Sequence, residues 1–125
     1  MYLAPGGAHL RMGEALFAAG DTAAALDALA LAAEVSAGEP NVLFRYAQVQ
    51  AGARQLDGAV ANLRRAITGN PDYAMPYLLL GRILEARGEG EDAKAAYRAF
   101  LAHAARRHEA RPVVEGWLAA PSAGQ

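Results

Sequence analysis

Apolar residues recur along the chain with the spacing of helices. The clearest stripe, between residues 77 and 84, follows the i, i+3, i+4, i+7 series that puts side chains on one helical face. Its members are Tyr77, Leu80, Gly81 and Leu84. The stripe stops at Gly88-Glu89-Gly90, and a second one follows with Ala93, Tyr97, Phe100, Leu101 and Ala104. This stretch is predicted to form two helices joined by a turn.

The same helix-turn-helix pattern occurs three times at a constant spacing. The blocks are 6–39, 40–73 and 74–107, with no insertion between them. Equivalent positions form columns: Gly13, Ala47 and Gly81; Ala25, Ala59 and Ala93; Met12, Tyr46 and Leu80; Leu29, Leu63 and Tyr97. Small residues let the two helices of a pair approach closely. One pair cannot bury both of its faces, so we expect the three pairs to stack into a continuous core.

These columns resemble the tetratricopeptide repeat family, whose pattern is a bulky residue, x2-Leu-Gly-x2-Tyr, Ala-x3-Phe and a final Pro. Block three gives Tyr77-x2-Leu80-Gly81-x2-Leu84 and Ala93-x3-Tyr97. Block two gives Leu43-x2-Tyr46-Ala47-x2-Gln50, Ala59-x3-Leu63 and Pro71; block one gives His9-x2-Met12-Gly13-x2-Leu16 and Ala25-x3-Leu29. Gln50 departs from the pattern, as do Ala37 and Ala105 at the final Pro position. The resemblance implies an all-α, right-handed superhelical solenoid of three helix-turn-helix pairs with a concave groove.

Residues outside the three blocks are assigned separately. Residues 1–5 are an N-terminal extension, and 120–125 are expected to be disordered. The last helix of block three is predicted to continue from Glu91 to about Ala110, and a short capping helix follows it. Residues 108–119 are therefore assigned to the end of that last helix and to the capping helix. The capping contacts are assigned to Val114, Trp117 and Leu118. Alternatively, Trp117 is an anchor for a partner protein.

Helix starts have local signals as well. Asp72 is a candidate N-cap for the first helix of block three. Pro76 falls in the first turn of that helix, and Pro40 in the first turn of the equivalent helix of block two, where a missing N–H costs little.

Composition narrows the fold and the function classes. The 125 residues include 32 Ala but only 10 Val, Ile and Thr together, which favours helix over strand; seven helices are expected. There are no cysteines, which excludes disulfides, Cys-based zinc or iron–sulfur sites and cysteine nucleophiles. A net charge of −1 argues against bulk electrostatic binding of nucleic acid or an anionic membrane. The N-terminus lacks the pattern of a signal peptide, and one Lys against 11 Arg is typical of a GC-rich genome. We interpret the chain as bacterial and cytoplasmic.

No catalytic or metal-binding pattern is present in the sequence. His103 and His108 stand five residues apart and do not share a helical face as an i, i+4 metal pair would. The two serines, Ser36 and Ser122, lie in no nucleophile motif. We therefore expect no metal, no cofactor and no enzymatic activity. The pairs Arg64-Arg65 and Arg106-Arg107 are either ordinary surface charge or contacts for an acidic partner.

The first helices leave one face outside the predicted core, and in the repeat family this face lines the groove. The candidate groove residues are Leu10, Glu14, Phe17, Phe44, Arg45, Gln48, Leu78, Arg82 and Glu85. Phe44 is expected at the centre as an apolar anchor, and the ligand is expected to carry an apolar anchor of its own and an acidic side chain. Alternatively, Leu10, Phe44 and Leu78 pack on one another between adjacent helices.

One subfamily holds the C-terminal carboxylates of chaperones with a Lys/Asn clamp. The matching positions here are Leu10, Glu14, Arg45, Met75 and Leu79, which do not supply that clamp. The sequence thus indicates a non-enzymatic adaptor for a peptide or helix of another protein. The alternative is a homo-oligomeric scaffold that stacks through its ends, because block one carries a net charge of −4 and block three of +2.

Overall fold

The computed structural model describes residues 6–119, so the assignments for residues 1–5 and 120–125 lie outside the described residues. Within that range the chain is all-helical, as predicted, and it has seven helices. They are α1 (Gly7–Ala18), α2 (Thr22–Val35), α3 (Pro40–Gly52), α4 (Leu56–Gly69), α5 (Met75–Ala86), α6 (Gly90–His103) and α7 (Arg111–Ala119). Among the described residues, no helix is long and apolar enough to cross a membrane.

The helices pack chiefly with their neighbours in the sequence: α1 with α2, α3 with α4, and α5 with α6. The chain divides into two compact units, the first ending at Asn70 and the second beginning at Pro71. In the first unit α2 also packs against α3, and in the second α7 packs against α6. A helix that starts a pair can therefore pack on the second helix of the pair before it.

Close helix crossings are built on the predicted small residues. Ala25, Ala47 and Ala59 are fully buried. A Cβ added at Gly13 would lie 2.6 Å from Cγ of Leu29, and one added at Gly81 would lie 2.5 Å from the ring of Tyr97. Those separations are too short for any real side chain, because packed carbon atoms prefer about 3.5–4.0 Å. Glycine at these columns thus sets how closely the two helices of a pair approach.

The turn inside each pair uses a left-handed residue at one column. Gly20 has φ of 90° and Gly88 has φ of 81°, while Arg54 at the equivalent position has φ of 65°. A left-handed conformation is cheap for glycine and costly for a residue with a Cβ. The three pairs therefore keep the same turn even where the sequence does not supply its preferred residue.

The prediction that the last helix of block three continues from Glu91 to about Ala110 is wrong, because α6 ends at His103. Ala104 is extended, with φ of −73° and ψ of 145°. The guanidinium of Arg111 donates hydrogen bonds to the carbonyl oxygens of Leu101 (2.7 Å) and Ala104 (3.2 Å). Carbonyls at the C-terminal end of a helix lack partners within their own helix. Arg111, the first residue of α7, supplies those partners and so stabilises the end of α6 at His103.

Asp72 is not the N-cap of α5. That position belongs to Ala74, with no side-chain cap, and the carboxylate of Asp72 instead lies 3.5 Å from Nδ1 of His103 on α6. Pro76 and Pro40 do fall in the first turns of α5 and α3, as predicted. A side-chain cap is present at α2, where Asp21 accepts a hydrogen bond from the backbone N–H of Ala24.

A buried amide pair joins α3 and α4. Nδ2 of Asn62 donates a 2.7 Å hydrogen bond to Oε1 of Gln50, and both residues are buried. Gly58 makes room for the pair, because a Cβ there would lie 2.5 Å from Nε2 of Gln50. Buried polar groups are tolerated when they are hydrogen-bonded, which explains how an amide can occupy the column where large apolar side chains are usual.

Candidate functional site

The candidate groove residues of the first unit lie on α1 and α3, which contact each other. We call Leu10, Glu14, Phe17, Arg45 and Gln48 the α1–α3 face. The carboxylate of Glu14 and the guanidinium of Arg45 form a 3.1 Å ion pair that bridges the two helices. Both side chains remain a little under half exposed. An ion pair in that setting contributes little stability.

Two apolar members of this face differ in accessibility. Leu10 is half-buried and packs against the two clusters formed by α2, α3 and α4. Phe17 is 40% exposed. Its ring lies beside Gly52 of α3, where an added Cβ would be 3.1 Å from the ring. Phe17 is thus the aromatic side chain that this face offers to solvent.

Phe44 is buried, which argues against the prediction that it serves as the central apolar anchor for a ligand. Only 5% of the residue is accessible, so its ring is part of the core. A ligand cannot pack on a ring that is already removed from water. Leu10, at the equivalent position of α1, is half-buried.

In the second unit the candidate residues are Leu78, Arg82 and Glu85, which we call the α5 face. Leu78 is half-buried, while Arg82 and Glu85 are exposed. The guanidinium carbon of Arg82 lies 5.8 Å from the centre of the Trp117 ring, within range of a cation–π interaction. Glu85 accepts a 3.3 Å hydrogen bond from the hydroxyl of Tyr97. The α5 face is therefore linked to α6 and α7 within its own unit.

The three residues assigned to capping lie on α7 at different depths. Val114 is fully buried, Trp117 is 37% exposed and Leu118 is half-buried. The Trp117 ring packs on Tyr97 of α6 with centroids 5.2 Å apart. The helix thus lays one apolar side on α6 and leaves the Trp117 ring partly open.

The histidines of the second unit take part in ring contacts. His103 stacks on Tyr77 at 5.3 Å, and the edge of the His108 ring meets Phe100 at 5.2 Å. Nδ1 of His108 also accepts a hydrogen bond from the backbone N–H of Ala110. In residues 6–119 no group of three or more His, Asp or Glu side chains is arranged to hold a metal ion.

Burial raises the pKa of Tyr97 to about 12, and the neighbouring Glu85 also raises it, while Arg82 opposes them. An unfolded tyrosine has a pKa near 10. Because the folded chain holds this proton more tightly, the stability it contributes is complete below pH 10 and falls between about pH 10 and 12. Urea unfolding across this range should show a steeper alkaline loss for the wild type than for Tyr97→Phe. Equal slopes for the two proteins would contradict the burial of an ionisable hydroxyl here.

Sequence reasoning missed the contacts made across helices. The Glu14–Arg45 pair, the Gln50–Asn62 pair and the Arg82–Trp117 contact all join residues of different helices. One signal was available, because Val114 continues the column of Met12, Tyr46 and Leu80 at the same spacing. That spacing places α7 in register as the first helix of a further pair.

Comparison with known proteins agrees with this architecture. Residues 8–34, which span most of α1 and α2, match the family model described as tetratricopeptide repeat. The Sgt2 TPR domain from Aspergillus fumigatus has a TM-score of 0.82 at 18% identity, covering 90% of this chain and 76% of that one. The chain has the tetratricopeptide-repeat fold. A search of curated protein sequences finds no match.

Two other solved structures show how far the likeness extends. The first TPR of Spaghetti (RPAP3), bound to the HSP90 peptide SRMEEVD, has a TM-score of 0.79 at 19% identity and covers 93% of this chain and 94% of its own. MamA has a TM-score of 0.70 at 22% identity, covering 75% of this chain; the alignment spans only 55% of the MamA chain. At these identities the likeness concerns the fold.

Proposed function

We propose that this tetratricopeptide-repeat chain is a non-enzymatic adaptor that binds a peptide segment or helix of another protein. The observation that carries the proposal is the exposed α1–α3 face of the first unit, where Glu14, Arg45 and Gln48 all reach solvent. Phe17 is exposed on the same face. Charged and hydrogen-bonding groups beside an accessible aromatic ring suit a short segment that carries both polar and apolar side chains.

The ligand that fits this face carries an acidic side chain. Arg45 is partly exposed, and it pairs with the exposed Glu14 at 3.1 Å. A carboxylate from a ligand can replace Glu14 at small cost, because the existing pair is solvated. An apolar ligand residue would pack on Phe17, since Phe44 is buried.

The Spaghetti domain is seen with an HSP90 peptide, but the residues here favour another ligand. The five clamp positions hold Leu10, Glu14, Arg45, Met75 and Leu79. A carboxylate at position 14 would repel a C-terminal carboxylate, and leucine and methionine cannot bind one. The C-terminal carboxylate of SRMEEVD should therefore add no affinity, and isothermal titration of this chain with the free-acid and the C-terminally amidated peptide, which should give equal Kd values, tests the point.

Peptides selected from a random display library on the wild-type chain provide probes for the positive test. Arg45→Glu should weaken the selected peptides at least about tenfold, and high salt should reduce the difference. Glu14→Gln should strengthen them, because Arg45 loses its competing partner. The matched control is Arg64→Glu, an exposed arginine on α4, which should leave the Kd unchanged in fluorescence anisotropy titrations.

The opposite ranking would contradict the proposed face. If Arg64→Glu abolishes binding while Arg45→Glu and Glu14→Gln bind like the wild type, the ligand site lies on the second helices. Circular dichroism of each variant, compared with the wild type, separates loss of binding from loss of fold.

A further inference from the structure

α2 carries a second apolar row beside the side that it buries. The buried residues of this helix are Ala25, Leu29, Ala32 and Ala33. Another set of apolar residues recurs at spacings of four, three and four residues along the helix, which is the spacing of a heptad seam. We call this set the α2 stripe, and it consists of Ala24, Ala28, Leu31 and Val35. Its members share one side of the helix and span about 16 Å, or three turns.

The large residues of the α2 stripe are open to solvent. Leu31 is 44% exposed and Val35 is 49% exposed, while Ala24 and Ala28 are half-buried. Two of the 14 residues of α2 are charged, and a helix that is apolar on most of its sides normally lies buried. Exposed leucine and valine side chains in one row therefore mark an interaction surface.

The equivalent columns of α4 and α6 do not form such a row. In those helices the columns of Leu31 and Val35 hold Arg65, Gly69, Ala99 and His103. The guanidinium of Arg65 donates a 3.4 Å hydrogen bond to Asn62, and His103 stacks on Tyr77. The packing of a helix pair thus does not require large apolar side chains at these columns, and their presence on α2 needs another explanation.

Two carboxylates flank the α2 stripe. Asp27 and Glu34 stand seven residues apart, so they lie on the same side of α2, about 10 Å apart along its axis. Both are exposed, and within residues 6–119 neither forms an ion pair. Glu34 lies in the last turn of α2, which has no basic residue, and a negative charge is unfavourable at that end of a helix. A cation from a partner would stabilise both carboxylates.

We propose that the α2 stripe is a docking surface for an amphipathic helix of a partner protein. The partner helix presents apolar residues at heptad spacing to the stripe, and its Arg or Lys residues, one heptad apart, face Asp27 and Glu34. Ala24 and Ala28 let one end of that helix approach closely, while Leu31 and Val35 pack between its apolar side chains. This surface lies on α2 and not on the α1–α3 face, so either proposal can fail without the other.

A display library of helical peptides provides the probe. Each peptide has about three heptads with leucine at the a and d positions, and the flanking e and g positions vary among Arg, Lys, Glu and Gln. Selection on the wild-type chain should enrich peptides with Arg or Lys at flanking positions one heptad apart. Enrichment of Glu at those positions, or no enrichment of any sequence, would overturn the proposal.

Variants of the stripe and of its carboxylates are then titrated with an enriched peptide by fluorescence anisotropy. Leu31→Gln combined with Val35→Gln should weaken binding at least about tenfold, as the loss of central apolar anchors does. Asp27→Arg combined with Glu34→Arg should invert the charge preference, so that a peptide with Glu in place of its basic residues binds more tightly than the original. An unchanged preference would show that these carboxylates do not face the partner.

Three control variants should keep the wild-type Kd. Val113→Gln changes an apolar residue that is 52% exposed on α7, and Glu109→Arg reverses an exposed charge in the second unit. Arg45→Glu changes the α1–α3 face. A peptide that depends on Arg45 and not on Leu31 binds the α1–α3 face, and that result would contradict docking on α2.

Two measurements on the chain by itself test for other occupants of the stripe. The variant with Leu31→Gln and Val35→Gln should melt at the wild-type temperature, because both side chains are exposed. A clearly lower melting temperature would mean that the chain covers the stripe with its own residues. Sedimentation should give a mass of 13.1 kDa for the wild type. A larger mass that the same double variant restores to 13.1 kDa would assign the stripe to a second copy, and either result would overturn the proposal.

Discussion

Replacing Phe44 with alanine should lower the free energy of unfolding by about 3–5 kcal/mol, the usual cost of emptying a buried phenylalanine site. The residue is only 5% exposed, so its loss leaves a cavity as well as removing apolar contact. Phe17→Ala is the matched control, because that ring is 40% exposed on the α1–α3 face. It should cost far less stability, and it should weaken peptide binding instead.

Chemical denaturation of the two variants beside the wild type, together with peptide titration, measures both effects. Comparing the two variants shows which ring belongs to the core and which contacts a ligand. The position of Phe44 within its helix does not show this. A wild-type unfolding curve for Phe44→Ala, together with a large shift for Phe17→Ala, would show that the two rings have the opposite roles.

Gly81→Val should cost about 3 kcal/mol, at the upper end of the usual penalty for overpacking. Ring atoms of Tyr97 would lie 2.5 and 2.6 Å from the new Cβ, and Tyr97 is only 2% exposed. The buried ring cannot turn aside into solvent, so α5 and α6 must move apart. Valine adds two further methyl groups to the same contact.

Gly116→Val on α7 is the control, because a Cβ at Gly116 meets no atom within 4 Å. Its melting temperature should match or slightly exceed that of the wild type, since glycine is a poor helix former. Thermal unfolding followed by circular dichroism distinguishes the two. Equal melting temperatures for both variants would mean that α5 and α6 do not cross at Gly81.

The helix pairs follow from the sequence because their determinants are local and repeated. An apolar stripe and a column of small residues specify which sides of two neighbouring helices meet, and Gly13 and Gly81 meet large side chains as expected. The end of α6 does not follow in the same way. Residues 104–110 contain no glycine or proline, and Arg111 binds the last carbonyls only once the chain has turned back.

The candidate binding face was harder to predict than the fold for a related reason. A helical period shows that Phe44 lies off the stripe facing α4, but a residue off that stripe can still be covered by other helices. Its burial depends on which other helices cover it, and the period of a single helix does not reveal them. Charged residues are more predictable, because desolvation keeps unpaired charge at the surface; Arg45, Arg82 and Glu85 are exposed as expected.

Three helix pairs that share one pattern could exchange partners while the chain folds, and the amides of Gln50 and Asn62 oppose that exchange. The column of Asn62 holds Ala28 in α2 and Ala96 in α6, and neither can donate to Gln50 from its side chain. If α3 paired with either helix through this crossing, it would bury the Gln50 amide without its partner, at a cost of about 1–3 kcal/mol. A hydrogen bond of 2.7 Å thereby distinguishes the pairing of α3 with α4 from the alternative pairings.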